Sequence, residues 1–118
     1  MKIGLTLERN ELYRRIEARC RGMIASGLAE EVRDLIGRGY TEVYPSMKGL
    51  GYSHYTSYFK GCLSHDETVR QFIRDTKRYA KRQLTWFRRE EDAIWYDPWQ
   101  IKEIREKVLF FVDGGKVP

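Results

Sequence analysis

The chain of 118 residues contains two cysteines and two histidines, and that scarcity excludes several classes of protein. Cys20 and Cys62 form no CxxC pair, so no disulfide framework is expected and reduced thiols suit a cytosolic setting. Cys62 and His65 have a metal-like separation, but so few sulfur and imidazole groups do not close a zinc site. No apolar run approaches the roughly 20 residues that span a bilayer, and Met1–Leu7 is too short and polar for a signal peptide. A soluble protein with no membrane partner is expected, in the cytoplasm by default. No GxxxxGK[ST] phosphate loop and no GxGxxG is present, so nothing independently supports nucleotide binding. No elbow motif presents a serine nucleophile. Internal repeats, low-complexity tracts and linkers are also lacking, and no self-contained active site is visible.

What is present is charge. Twenty-two Lys and Arg stand against seventeen Asp and Glu, a net charge of +5 with 42% apolar residues. The apolar fraction suits one domain with a modest core, and the cationic excess attracts polyanions weakly unless it is concentrated.

The periodicity predicts a mainly α fold. "IGLTL" (Ile3–Leu7) alternates as a strand does. From Glu8 a helical period places Leu12, Ile16, Met23 and, less centrally, Cys20 on one face up to Ser26-Gly27. Leu28, Val32, Leu35 and Ile36 then form the apolar face of a second helix ending at "GRG", which makes a helical hairpin. In "YTEVYPSMKGLGY", Pro45 drives Tyr44 out of the α region and Gly49 and Gly51 loosen the backbone. An exposed, adaptable loop is expected there, followed by a short helix to Lys60-Gly61. "SHDE" (Ser64–Glu67) is a capping box that opens one long helix lasting to Phe87. "AIWYD" (93–97) is a second strand. Asp97-Pro98 with Gln100 starts a C-terminal helix carrying Ile101, Ile104, Val108 and Phe111 on one face, and "DGGKVP" is a frayed tail. Two short strands at opposite ends of a helical chain are marginal alone, so a sheet supplied from elsewhere is expected to receive them.

Down the long helix, Val69, Phe72, Ile73, Ala80, Leu84 and Phe87 mark the core side. Arg70, Arg74, Lys77, Arg78, Lys81, Arg82, Arg88 and Arg89 gather broadly opposite, and Asp75 is the one acid between Arg70 and Arg89. Like charges at helical spacing cost stability unless an anion binds, so this stripe is read as phosphate-binding rather than merely solvated. Charge alone does not separate DNA from RNA. Thr76 and Gln83 fall inside the apolar sector; each either bonds a neighbouring element or lines a slot for a polar ligand such as a base. Arg19 lies between Leu12, Ile16 and Met23 on the first helix, where it either pairs with a carboxylate of this chain or reaches a phosphate.

"GLTLERNELYRRIEARC", "MIASGLAEEVRDLIGRGY", "PSMKGLGY" and above all "TKRYAKRQLTWFRR" together resemble the C-terminal part of the tRNA dimethylallyltransferase, or tRNA isopentenyltransferase, family. The resemblance runs from about Gly4 to Asp97. It implies that residues 1–118 are one helical segment of a larger P-loop-type transferase. The phosphate-loop portion of that enzyme, with the Asp taken as general base, is absent here, and the two strands would complete its α/β sheet. The family moves a dimethylallyl group from dimethylallyl diphosphate to N6 of the adenosine 3′ of the tRNA anticodon. That adenine must leave its stack, and diphosphate departs with Mg²⁺ in the whole enzyme; no cofactor is expected on this segment alone. By resemblance Arg19 stabilises the diphosphate. Pro45, Ser46, Met47 and Lys48, with Arg74, Thr76, Lys77, Arg78, Lys81, Arg82 and Gln83, meet the tRNA anticodon stem-loop. Lys77 stands where the family usually has Arg, His54 where it has Gln or Glu, and Gly49 where Ala is more usual.

Three classes of function follow: a segment giving a transferase its tRNA surface and inactive alone, a free-standing basic module for RNA or DNA, or a helical interaction domain with incidental charge.

Overall fold

Apolar residues at helical spacing run through most of the chain, and helices dominate the computed structural model, which describes residues 1–115. In order, the elements are β1 (Lys2–Leu5), α1 (Arg9–Ala25), α2 (Leu28–Gly37), a 3-10 turn (Pro45–Lys48), α3 (Tyr52–Phe59), α4 (His65–Phe87), β2 (Ala93–Tyr96) and α5 (Ile101–Val112). The mainly α class is as the periodicity predicts. Both strands are shorter than their alternation suggests, and β1 starts one residue earlier. The chain divides into two compact units: Tyr13–Lys81, and Met1–Leu12 taken with the residues from Arg82 onward.

The Tyr13–Lys81 unit holds the core. Cys20 of α1, Leu28 and Val32 of α2, Met47 of the 3-10 turn, Tyr55 of α3, and Phe72 and Ile73 of α4 are buried together, with Ile16, Ile24, Leu35 and Val69 packed around them. The hairpin of α1 and α2 turns at Gly27, and α2 closes where the Tyr40 N–H returns to the Leu35 carbonyl at 3.1 Å. Ser64 caps α4: its Oγ accepts the Glu67 N–H at 3.1 Å, as the capping box predicts. Gly51, before α3, has φ +86°, and a Cβ there would lie 3.2 Å from Leu28 and 3.4 Å from the Phe72 ring. Both the left-handed backbone and the close packing therefore demand glycine.

The expectation of an exposed loop before α3 is corrected in part. Pro45 starts a 3-10 turn whose Met47 is 3% exposed, because the turn folds that side chain into the core while Pro45, Ser46 and Lys48 stay outside.

In the other unit β1 and β2 pair with each other, in parallel, with Ile3 opposite Ile94 and Gly4 opposite Trp95. The Thr6 N–H extends the ladder to the Tyr96 carbonyl at 2.9 Å, and Lys2 pairs with Glu90. The first turn of α1 is held by Glu8, whose carboxylate accepts the Asn10 and Glu11 N–H groups, both at 3.0 Å. Ahead of α5 the Asp97 N–H donates to the Gln100 side chain at 2.8 Å. After Val112 the chain turns back, with the Gly115 N–H on the Phe110 carbonyl at 2.9 Å; the remainder of the expected frayed tail lies outside the described residues. No described residue of this unit is buried. The apolar face predicted for α5 is left largely open, with Ile101 71% exposed and Phe111 55%.

Candidate nucleic-acid interface

Helix α4 turns Thr68, Phe72 and Ile73 into the core, which obliges the intervening positions to face out. Arg70, Arg74, Arg78, Lys81 and Arg82 are all exposed. The structure corrects one part of the charge argument. The sequence shows one acid in the stripe, yet folding supplies further carboxylates. Arg70 pairs with Glu67 one turn earlier, and Lys77 reaches Glu17 of α1 at 3.5 Å while lying 5.9 Å from the centre of the Tyr13 ring. Arg74 and Arg78 both approach Asp75, at 3.1 and 3.9 Å. Solvent-exposed pairs of this kind are weak, so a phosphate can exchange for the carboxylate.

Asp75 also joins α4 to the start of α3. Its Oδ2 lies 2.8 Å from His54 Nε2, while His54 Nδ1 accepts the Gly51 N–H at 3.2 Å. Because Nδ1 is the acceptor, Nε2 carries the proton and donates it to Asp75. Burial pushes the Asp75 carboxyl upward, but the hydrogen bonds from His54 and Arg74, with the Arg74 charge, outweigh it and hold the group below its ordinary range. On α1, the hydrogen bond from Arg21 leads the causes that lower Glu17, followed by Lys77.

Glu17, Arg21, Arg74 and Lys77 border a groove of about 800 Å³ between α1 and α4. Arg21, Arg70, Arg74 and Lys77 line it over a floor of Ile24, Val69 and Ile73, with Glu17 and Asp66 among the lining acids. A groove with cations around an apolar floor suits an extended anion.

Other predicted site residues are placed differently. Arg19 is exposed, not set on the apolar face, and Cys20, read as less central, is 2% exposed. The core-facing row of α1 in this unit runs through half-buried Ile16, buried Cys20 and half-buried Ile24, one turn apart each, and it leaves Arg19 and Met23 to one side. Among the described residues the Arg19 side chain makes no hydrogen bond or ion pair. Thr76 is half-buried and its hydroxyl donates to the Phe72 carbonyl at 2.7 Å, so its own helix satisfies it. Gln83, expected inside the apolar sector, is exposed, because its unit buries none of its described residues. The His54–Asp75 link escapes a reading of the sequence. Its one signal there is a histidine just after a glycine-containing helix start, together with a lone acid in a basic stripe.

Among the described residues no group of three His, Cys, Asp or Glu side chains could hold a metal ion, and no helix is long and apolar enough to cross a membrane.

The family model for IPP transferases matches residues 1–90. The chain belongs to the IPP transferase family. It is 52% identical over 95 residues to a tRNA dimethylallyltransferase of Pelotomaculum thermopropionicum, covering 80% of this chain and 30% of that one. It is 46% identical over 114 residues to tRNA dimethylallyltransferase 2 of Syntrophus aciditrophicus, covering 97% and 37%. Its fold superposes on the full-length tRNA isopentenylpyrophosphate transferase of Bacillus halodurans with a TM-score of 0.86 at 34% identity, over 98% of this chain and 38% of that structure. The corresponding Staphylococcus epidermidis structure gives a TM-score of 0.84 at 29% identity, over 98% and 38%. The chain thus spans about a third of the length of these relatives, and the part it matches is their C-terminal part.

Proposed function

We propose that this chain is the tRNA-gripping segment of a prenyltransferase that moves a dimethylallyl group from dimethylallyl diphosphate to N6 of the adenosine 3′ of the anticodon. One observation carries the reading: a chain of the IPP transferase family presents, along one helix, the exposed cations Arg74, Arg78 and Lys81, with Lys77 half-buried beside them. Arginine forks and lysine point charges at this spacing suit successive phosphates of an RNA stem-loop. The exposed members of the 3-10 turn, Pro45, Ser46 and Lys48, are assigned to the same RNA, with Met47 anchoring the turn and Thr76 satisfied within α4. Arg82 and Gln83, both exposed in the other unit, extend the assignment along the helix.

In the transfer, the N6 lone pair attacks C1 of the allyl group, the C1–O bond breaks with its electrons going to the diphosphate, and N6 loses a proton. Negative charge grows on the leaving diphosphate, and a guanidinium aimed at it stabilises that change. Arg19 has this role. Its exposure, with no anionic partner among the described residues, supports an anion supplied from outside the chain. The Mg²⁺ that the family implies has no ligand set among the described residues. The general base and the phosphate loop belong to the larger part of the enzyme that this chain does not span. A unit without one buried residue among those described, with an open apolar helix and a two-stranded parallel sheet, supports docking of β1, β2 and α5 against that part. The setting is the cytoplasm, where tRNA is modified.

Binding of an anticodon stem-loop RNA, titrated against salt, tests the reading. Each phosphate held contributes about 0.7 to 0.9 to the log–log slope, so several contacts give a slope of several. A slope near zero overturns it.

A further inference from the structure

Asp75 is out of place on a surface meant for a polyanion. It is the one acid between Arg70 and Arg89, it is partly exposed, and its negative charge opposes any phosphate that approaches α4. Its geometry explains why such a group is useful there. One oxygen, Oδ2, is fixed by the Nε2–H of His54 at 2.8 Å, and His54 is itself 9% exposed and tied to the Gly51 N–H at 3.2 Å. The other oxygen, Oδ1, takes Arg74 Nε at 3.1 Å and has Arg78 in ion-pair range at 3.9 Å. The carboxylate therefore has a rigid side, anchored in the core at the start of α3, and an outer side that collects two guanidinium groups.

A mobile arginine loses rotamer entropy when it binds a phosphate, and a guanidinium already held in place loses less. Arg74 uses Nε on Asp75, which leaves the terminal NH1–NH2 edge of an exposed side chain for a second anion. We propose that Asp75 is a positioning residue for RNA, anchored by His54, which presets Arg74 and Arg78 as an oriented pair for adjacent backbone phosphates. The inference rests on the RNA-binding reading above. It also gives the buried His54 a use: the imidazole couples the start of α3 to the basic face of α4.

Electrostatics and positioning predict opposite signs, and this makes the test sharp. The 118-residue chain is titrated with an anticodon stem-loop RNA as wild type, D75N, R74Q, the double variant, and H54Q, each with a thermal melt. Asp75→Asn raises the net charge by one, so a purely electrostatic role tightens binding. The positioning role weakens it by about fivefold and lowers the salt slope by about one phosphate contact. Arg74→Gln weakens binding similarly, and the double variant loses less than the two single effects together, because without Arg74 the carboxylate positions Arg78 alone. His54→Gln removes the ring that fixes Oδ2 and weakens binding without touching any group on the basic face of α4, so it keeps the inference testable should D75N melt early. Equal or tighter binding by folded D75N, or unchanged binding by folded H54Q, overturns the positioning role while leaving RNA binding intact. A wild type that binds no RNA overturns both.

Discussion

The indole of Trp95 lies across Gly4, its register partner on the neighbouring parallel strand, so that a Cβ at position 4 would meet the ring at 2.5 Å. The ring occupies the space that a side chain would fill. Gly4→Ala is expected to displace Trp95 and destabilise the strand pair by about 1–3 kcal/mol, as overpacking does. Near-ultraviolet circular dichroism and tryptophan emission report it directly, and an unchanged spectrum contradicts the packing described.

Gly49 and Gly51 flank one residue and predict opposite outcomes. Gly51→Ala must place an L side chain at φ +86°, against Leu28 and Phe72, and is expected to lower stability by about 1–3 kcal/mol. Gly49 sits at φ −68°, ψ 165°, and its nearest neighbour to a new Cβ is the Ser46 carbonyl at an ordinary 3.5 Å. Gly49→Ala is expected to stabilise by about 0.4–1 kcal/mol, through the unfolded chain. Chemical denaturation of both variants checks the pair; equal effects would contradict the backbone assignment.

Stability should fall in acid partly through Asp75. Its folded-state pKa lies below the ordinary 3.8, so the folded chain releases this proton more readily than the unfolded one. The stabilisation is fully present above the ordinary value and is lost as pH falls from there through the lowered one. The stability gap between wild type and D75N is therefore expected to be widest near neutrality and to shrink below about pH 5. Denaturant melts at stepped pH measure it, and a gap constant down to about pH 3 rules the linkage out.

Arg19→Ala, in a transferase assembled from this chain and the rest of the family enzyme, is expected to lower kcat by about a hundredfold, as loss of one charge-stabilising donor does, with little change in tRNA affinity. Single-turnover rates and stem-loop binding separate the two. Unchanged turnover with weakened binding refutes the diphosphate role.

Much of the fold is legible in the sequence because its signals are local. A serine three residues ahead of a glutamate caps α4 whatever lies around it, and Pro45 restricts Tyr44 by sterics alone. The strands are legible as two strands but not as partners, since nothing local encodes a register between Gly4 and Trp95.

The misplacement of Arg19 has a specific cause. α1 belongs to one unit up to Leu12 and to the other from Tyr13, so a face read from Leu12, Ile16 and Met23 mixes residues of two units. The true row of Ile16, Cys20 and Ile24 emerges only when the core residues of α2 and α4 choose which side of the helix to cover. Gln83 fails likewise: α4 passes from one unit to the other at Arg82, and the apolar periodicity continues into a unit that buries none of its described residues.

The order of residue types is enough for the helices, the cap of α4, the positive stripe and the family, because each depends on neighbours within a few residues or on the pattern itself. Packing was needed to show that Met47 anchors its turn in the core, that Glu17 meets Lys77 across a separation of 60 residues, and that Asp75 stands between His54 and two arginines. Those relationships depend on which surfaces meet, and burial, unlike a helical period, is a property of the packed chain.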